Sequence, residues 1–320
     1  MALRVLVHDA HPEPLVAILE ARHPDVEIVA CSDYESLPEA LAGAQPEVMY
    51  GVRFAGTPGY PRAAILATTS LRWVAIGGSG TDHLAPWDAT RLTVTNAAGV
   101  AAEAMAEYAM AAILGFAMNF PAFASHRQAR RWVAGRVEPI AGKTLLILGL
   151  GHTGRTLARR AEGAGLRVLG VRARPAPTPH VAEVHSPEAL PGLWPRADFV
   201  AVCLPLTPAT RGLIGAAAFA AMRPGAVLID VSRGGIVVEA ALIAALRGGR
   251  LKGAALDVFE HEPLPAENPL WGFENVIVTP HCSSVYEGWE RRSMAMFCDN
   301  LARWRRGEAL RNVVDPARGY

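Results

Sequence analysis

Short β-branched runs alternate with alanine- and leucine-rich stretches from one end of this chain to the other. That alternation restricts the fold to parallel sheets covered by helices on both faces, a doubly wound α/β architecture. Strands are expected at residues 4–7, 26–30, 48–51, 73–76 and 93–95, each followed by turn or cap residues, and these make one flavodoxin-like unit. A second series begins at 144–148 and continues through 167–171, 199–204, 226–231, 254–258 and 276–279. It forms a second unit.

Between the two series lies a long helical stretch beginning near Ala101, and a helix over 287–306 follows the last strand with no sheet of its own. If that helix returns to the first unit, the second domain is a continuous insertion. The expected division is 1–98 with 284–320 for one domain and 99–283 for the other. No repeat of 20 to 50 residues interrupts this pattern, only a proline-rich turn at Pro175, Pro177 and Pro179.

The 320 residues suffice for two separate cores, and 31 basic against 30 acidic residues leave nothing that attracts nucleic acid or another polyanion. A small-molecule partner is expected. Cys31, Cys203, Cys282 and Cys298 lie far apart without metal-type pairing, which fits a reducing cytoplasm. The amino terminus runs from Met1 straight into a strand and lacks a signal-peptide layout. The apolar run from Ala101 to Phe123 is broken by Glu103, Glu107 and Gly115, so it reads as a buried helix shared with a second subunit rather than a membrane span.

Directly after the apolar run at 144–148 comes Gly149-Leu150-Gly151-His152-Thr153-Gly154, followed by the helix-forming stretch 155–164. This is the dinucleotide fingerprint of a Rossmann domain in its required strand-turn-helix setting. The first glycine makes the tight turn, the second admits pyrophosphate and the third lets the helix pack closely. The helix amino terminus then faces the phosphates, with His152 and Thr153 beside them. About 20 residues further on, an NAD site carries an acid for the ribose 2′-hydroxyl. The sequence there is Val171-Arg172-Ala173-Arg174-Pro175, two guanidinium groups in place of the acid, which favours NADP over NAD.

Three further motifs fall at successive strand ends: Asp230-Val231-Ser232-Arg233-Gly234-Gly235, Asp257-Val258-Phe259-Glu260-His261-Glu262-Pro263 and Thr279-Pro280-His281-Cys282-Ser283-Ser284. Together they supply an arginine, a carboxylate and a histidine, the set that binds a 2-oxo carboxylate and protonates its carbonyl oxygen as hydride arrives. In their order and spacing these motifs resemble the D-2-hydroxyacid dehydrogenases, and the resemblance covers nearly the whole chain. It implies that Arg233 holds the substrate carboxylate and carbonyl, that His281 is the acid-base residue, and that Glu262 hydrogen-bonds His281. A carboxylate beside an imidazole favours the imidazolium and keeps a proton available for keto-acid reduction.

The same resemblance implies cofactor contacts from Leu204, Pro205 and Thr210 on the adenosine side and from Val231 and Asp257 on the nicotinamide side, Asp257 accepting from the carboxamide, with Ser283 a further cofactor contact. For the substrate it implies Arg53 after the third strand, and Ser79 with Gly80 after the fourth, all facing an interdomain cleft that closes on the acid. Phe54, Ala55 and Gly56 depart from the small hydroxyl residues expected after Arg53. His8 and His11 have no cysteine or carboxylate pattern around them, and no metal is expected. Trp132, Trp271 and Trp289 are expected to be core or interface aromatics.

The chain ends at Tyr320 without the regulatory domain of longer phosphoglycerate dehydrogenases, so a compact cytoplasmic, homodimeric glyoxylate or hydroxypyruvate reductase with NADP fits best. Two alternatives remain: a dehydrogenase of another small acid such as formate, phosphite or a 3-phosphorylated acid, and a dinucleotide-sensing corepressor-like protein on the same fold.

Overall fold

The strand runs in the first hundred residues are apolar on both sides, because a parallel sheet buries both of its faces. In the computed structural model, which describes residues 2–54, 56–316 and 318–319, they form β1 (Arg4–His8), β2 (Glu27–Cys31), β3 (Val48–Gly51), β4 (Trp73–Ile76) and β5 (Thr93–Asn96). The pairing is parallel throughout, in the order β2-β1-β3-β4-β5, the flavodoxin-like arrangement. Helices α1 (Glu13–Arg22), α2 (Leu37–Ala44) and α3 (Arg62–Ala67) connect the strands. The indole of the fully buried Trp73 donates to Thr95 Oγ1 at 2.9 Å, which satisfies the one polar atom of that side chain.

The second sheet contains β6 (Thr144–Leu148), β7 (Arg167–Val171), β8 (Glu183–His185), β9 (Phe199–Val202), β10 (Ala226–Asp230), β11 (Leu251–Leu256) and β12 (Val276–Val278). Its order, β12-β11-β10-β9-β6-β7-β8, reverses between β6 and β9, as in dinucleotide-binding sheets. Helices α4 (Ala102–Ala117), α5 (Phe120–Gln128), α6 (His152–Gly163), α7 (Leu190–Leu193), α8 (Ala216–Ala221) and α9 (Glu239–Arg247) accompany it. Ala109, Ile113 and Phe116 of α4 pack with Leu157 and Ala161 of α6 on one face. Phe219, Leu242 and Leu246 cover the other. Each fully buried leucine or isoleucine contributes about 1.5–3 kcal/mol through removal from water, and β6 alone supplies four such positions from Leu145 to Leu148.

The chain divides into Met1–Val100 with Tyr286–Tyr320, and Ala101–Val285. The last helix, α10 (Trp289–Arg305), packs on the first sheet: Met294, Phe297, Cys298 and Leu301 lie against Val5, Val7, Tyr50 and Trp73. Gly77 is obligatory there, since a Cβ on it would lie 2.6 Å from the Tyr50 hydroxyl and 2.7 Å from Val52.

Two local expectations are corrected. Strand β8 is absent from the expected set because Glu183-Val184-His185 has a single apolar residue, and its acid is consumed by Arg167 and Arg196 at 2.7 and 2.5 Å. The apolar run from Ala101 is not one helix. It breaks at Asn119, which adopts φ +61° ahead of Pro121, and α5 turns 67° from α4. No single helix among the described residues is long and apolar enough to cross a membrane.

Candidate active site

The fingerprint turn shows three different reasons for glycine. Gly149 adopts φ +96°, and a Cβ there would sit 2.6 Å from the Cys203 carbonyl oxygen. At Gly154 a Cβ would meet the Gly149 carbonyl oxygen at 1.9 Å, so only glycine lets α6 come this close to β6. Gly151 has nothing within 4 Å of its would-be Cβ. The space beside it is therefore open at the amino terminus of α6, where no side chain among the described residues caps the first-turn N–H groups. An open approach, free helix donors and a positive dipole end together fit a pyrophosphate. His152 stands at that end, its pKa lowered by partial burial and by Arg155. Thr153 Oγ1 contacts Met105 Sδ at 3.6 Å.

Beyond β7, Arg172 is half-buried and Arg174 exposed, and no hydrogen bond or ion pair among the described residues engages either guanidinium. The nearest strand, β8, offers Glu183, but that carboxylate is held by Arg196, His185 and Arg167, which keep it down at about 2. It is occupied on the sheet edge. Leu204 and Pro205 follow β9, in a loop that Thr210 closes: its hydroxyl donates to the Pro205 carbonyl at 2.7 Å and accepts from Thr207 N at 2.8 Å.

The catalytic residues expected from the sequence lie on three neighbouring strand ends. His281 Nδ1 and Glu262 Oε2 are 2.9 Å apart, and Glu262 Oε1 accepts from the Phe259 backbone N–H at 3.1 Å. The carboxylate is thus fixed from one side while it orients the imidazole from the other. His281 itself adopts φ +52°, a left-handed conformation that non-glycine residues take mostly where the surroundings impose it. Arg233 is half-buried, and its Nη1 donates to the Ser232 carbonyl at 2.7 Å. Gly234 explains why Arg233 sits beside the β11 loop: a Cβ there would lie 1.7 Å from the Phe259 carbonyl oxygen.

Asp257 has a structural part that its sequence position does not announce. Its Oδ1 accepts from Thr279 Oγ1 at 2.6 Å and Cys282 N at 2.9 Å, and its Oδ2 accepts from Ser283 N at 3.0 Å. This carboxylate therefore shapes the loop that carries His281, with one acceptor position remaining on Oδ2. Thr279 gives its only proton to Asp257, so the Tyr108 hydroxyl 2.9 Å away must donate to Thr279. Burial pushes Tyr108 up to about 12 and keeps that proton in place. Val231 and Ser283 are buried. Sequence reasoning missed Tyr108, Ser232 and Asp230; only the last carries a sequence signal, a carboxylate ending an otherwise apolar strand.

In the first unit, Arg53 is exposed after β3, with Asp82 4.0 Å away. Ala55 lies outside the described residues. Ser79 and Gly80 follow β4, held by Asn96 Nδ2 donating to the Ser79 carbonyl at 2.8 Å. Their backbone N–H groups make no hydrogen bond among the described residues. They are available to an anion. No cluster of three or more histidine, cysteine or acidic side chains able to hold a metal occurs among the described residues.

Comparison with known proteins adds to this geometry. Residues 110–283 match the family described as D-isomer specific 2-hydroxyacid dehydrogenase, NAD binding domain. The chain is 33% identical over 320 residues to the D-3-phosphoglycerate dehydrogenase of Methanocaldococcus jannaschii, covering 98% of this chain and 59% of that relative's length. It thus spans about three fifths of that protein. The glyoxylate/hydroxypyruvate reductase B of Citrobacter koseri is 34% identical over 333 residues, with 98% of both chains covered. A crystal structure of a D-isomer specific 2-hydroxyacid dehydrogenase from Xanthobacter autotrophicus, in complex with NADPH and MES, matches with a TM-score of 0.85 at 33% identity over 100% of each chain.

Proposed function

Because this chain belongs to the D-isomer specific 2-hydroxyacid dehydrogenase family, we propose that it reduces a small 2-oxo acid of the glyoxylate or hydroxypyruvate type and prefers NADPH as its reductant. The observation that carries the reading is His281 held through Nδ1 by Glu262 at 2.9 Å, with the loop that bears Glu262 packed against the Arg233 loop at Gly234. The dinucleotide, when bound at the α6 amino terminus by Gly149, Gly151, His152, Thr153 and Gly154, supplies the hydride. With Glu262 on Nδ1, the imidazole has Nε2 left to donate a proton to the carbonyl oxygen, and in the reverse direction to take one from the hydroxyl. The planar, always charged Arg233 suits the bidentate hold on the carboxylate.

Arg53 and the free N–H groups of Ser79 and Gly80 are the first unit's contribution to acid binding in this reading. Leu204, Pro205 and Thr210 contact the adenosine side of the dinucleotide, while Val231, Asp257 and Ser283 contact its nicotinamide side. Asp257 uses its remaining acceptor position for the carboxamide. The preference for NADPH is supported by the unengaged Arg172 and Arg174, together with the lack of an acid at that strand end. NAD is then the weaker cofactor.

The protein works as a cytoplasmic homodimer in this proposal, without a nucleic-acid or membrane partner. The dimer is supported by apolar side chains left in solvent: Leu114 on α4, and Trp132, Val133 and Val137 in the wholly exposed segment after α5. The activity is tested by following NADPH oxidation with glyoxylate, hydroxypyruvate, pyruvate and bulkier 2-oxo acids. Turnover is expected with glyoxylate and hydroxypyruvate, and silence with every acid sinks the proposal.

A further inference from the structure

The carboxylate that ends β10 takes no part in the chemistry outlined above, although it stands at the base of the turn that carries Arg233. Asp230 is 2% exposed, and its Oδ1 accepts from the Ser232 backbone N–H at 2.9 Å and also from the Ser232 hydroxyl. That closes an Asx turn and sets the plane of the following peptide. The carbonyl of that same serine receives Arg233 Nη1 at 2.7 Å. A neutral side chain such as asparagine would close the same turn, so a buried carboxyl here adds something that the turn does not need.

We propose that Asp230 is a positioning residue for Arg233 whose proton sets how strongly that guanidinium holds the acid's carboxylate. The proposal rests on Arg233 being the acid anchor, as proposed above. When Asp230 is neutral, the charge of Arg233 acts on the substrate without opposition from this carboxyl. When Asp230 is ionised, a negative charge at the root of the same turn offsets part of it, and acid binding weakens.

The groups that face Asp230 make this exchange occur near neutrality. Burial and the Asp257 carboxylate at the end of β11 raise the Asp230 carboxyl, the Ser232 donors and Arg233 lower it, and the balance leaves it at about 7. Cys203, past the end of β9, and Tyr108, on α4, also feel its charge, and each is itself pushed up to about 12. Both therefore stay neutral while Asp230 titrates. Asp257 is engaged by three donors from the His281 loop.

The test uses the NADPH-bound enzyme and oxalate, a non-reacting dicarboxylate, in calorimetric titrations at about pH 6 and about pH 8, a unit either side of the Asp230 value. Asp230→Asn keeps the turn and removes the charge. It is expected to bind oxalate as the wild type does at the lower pH, and about threefold to tenfold more tightly than the wild type at the higher pH. Any pH dependence belonging to His281 persists in both proteins, so the difference between them is the readout. Ser232→Ala removes a donor that lowers the Asp230 value, and is expected to move the wild-type transition to higher pH. Difference infrared spectroscopy should show a buried carboxyl band that titrates near neutrality and is missing from Asp230→Asn. Oxalate binding with no difference between wild type and Asp230→Asn overturns the role given to Asp230, as does the absence of that band. An intact band with no oxalate binding to either protein overturns Arg233 as the acid anchor, and with it the proposed function.

Discussion

Gly234 has no room for a side chain, since a Cβ would lie 1.7 Å from a backbone oxygen of Phe259. Neither the β10 loop nor the β11 loop can yield without moving Arg233 or Glu262. Gly234→Ala is expected to lower stability by about 3 kcal/mol or more, measurable by chemical denaturation, and to raise KM for the acid among molecules that fold. His281→Ala should lower kcat by about 10²–10⁴-fold, the usual worth of a positioned acid or base. NADPH affinity, followed by fluorescence titration, should stay near wild type. Asp230 also predicts a dependence of stability on pH. Its carboxyl is raised in the folded protein from the ordinary 3.8 to about 7, so ionisation is disfavoured by folding. The resulting destabilisation is small below the unfolded value, grows between about pH 4 and pH 7, and is constant above. Asp230→Asn should therefore raise Tm more at pH 8 than at pH 5, and an equal or reversed gain contradicts the assignment.

At the scale of elements, α6 owes its position to glycines, and the proposed preference for NADPH rests on the strand beside it. Gly154 lets the helix approach β6, and the next strand, β7, is followed by Arg172 rather than an acid. If Arg172 and Arg174 bind the 2′-phosphate, replacing both with alanine raises KM for NADPH by about tenfold or more and leaves that for NADH nearly unchanged. Parallel losses for both cofactors would argue for a general folding effect. The glycine turn and the paired arginines were legible in the sequence because each is local, within a few residues of one strand end. Strand β8 was not legible, because a three-residue edge strand has little apolar surface to bury. The break between α4 and α5 depends on Asn119 adopting a left-handed conformation, for which Pro121 is only a hint.

The whole molecule is two parallel sheets with four apolar faces, each covered by helices of its own unit. Among the large apolar side chains left exposed are Leu114 on α4 and Trp132, Val133 and Val137 in the stretch after α5. A homodimer that covers these surfaces should elute in light scattering at twice the mass of the 34.1 kDa chain. Trp132→Ala should shift it toward monomer, while particles of single-chain mass in the unaltered protein would leave those side chains without a partner of this kind.

Alternation of apolar runs with helix formers determined the α/β class, and the spacing of the glycine fingerprint and of Arg233, Glu262 and His281 along successive strand ends determined the chemistry to expect. These are properties of short segments, in which the order of residues decides what the backbone and its nearest turn can do. Only the tertiary structure decided how those segments support one another. Asp257 holds the His281 loop by three hydrogen bonds from residues 22 to 26 positions away, Tyr108 reaches it through Thr279 from 171 positions away, and Gly234 closes against Phe259. Such contacts depend on strands that lie side by side in the sheet though far apart in the chain, and no local pattern records which of them will meet.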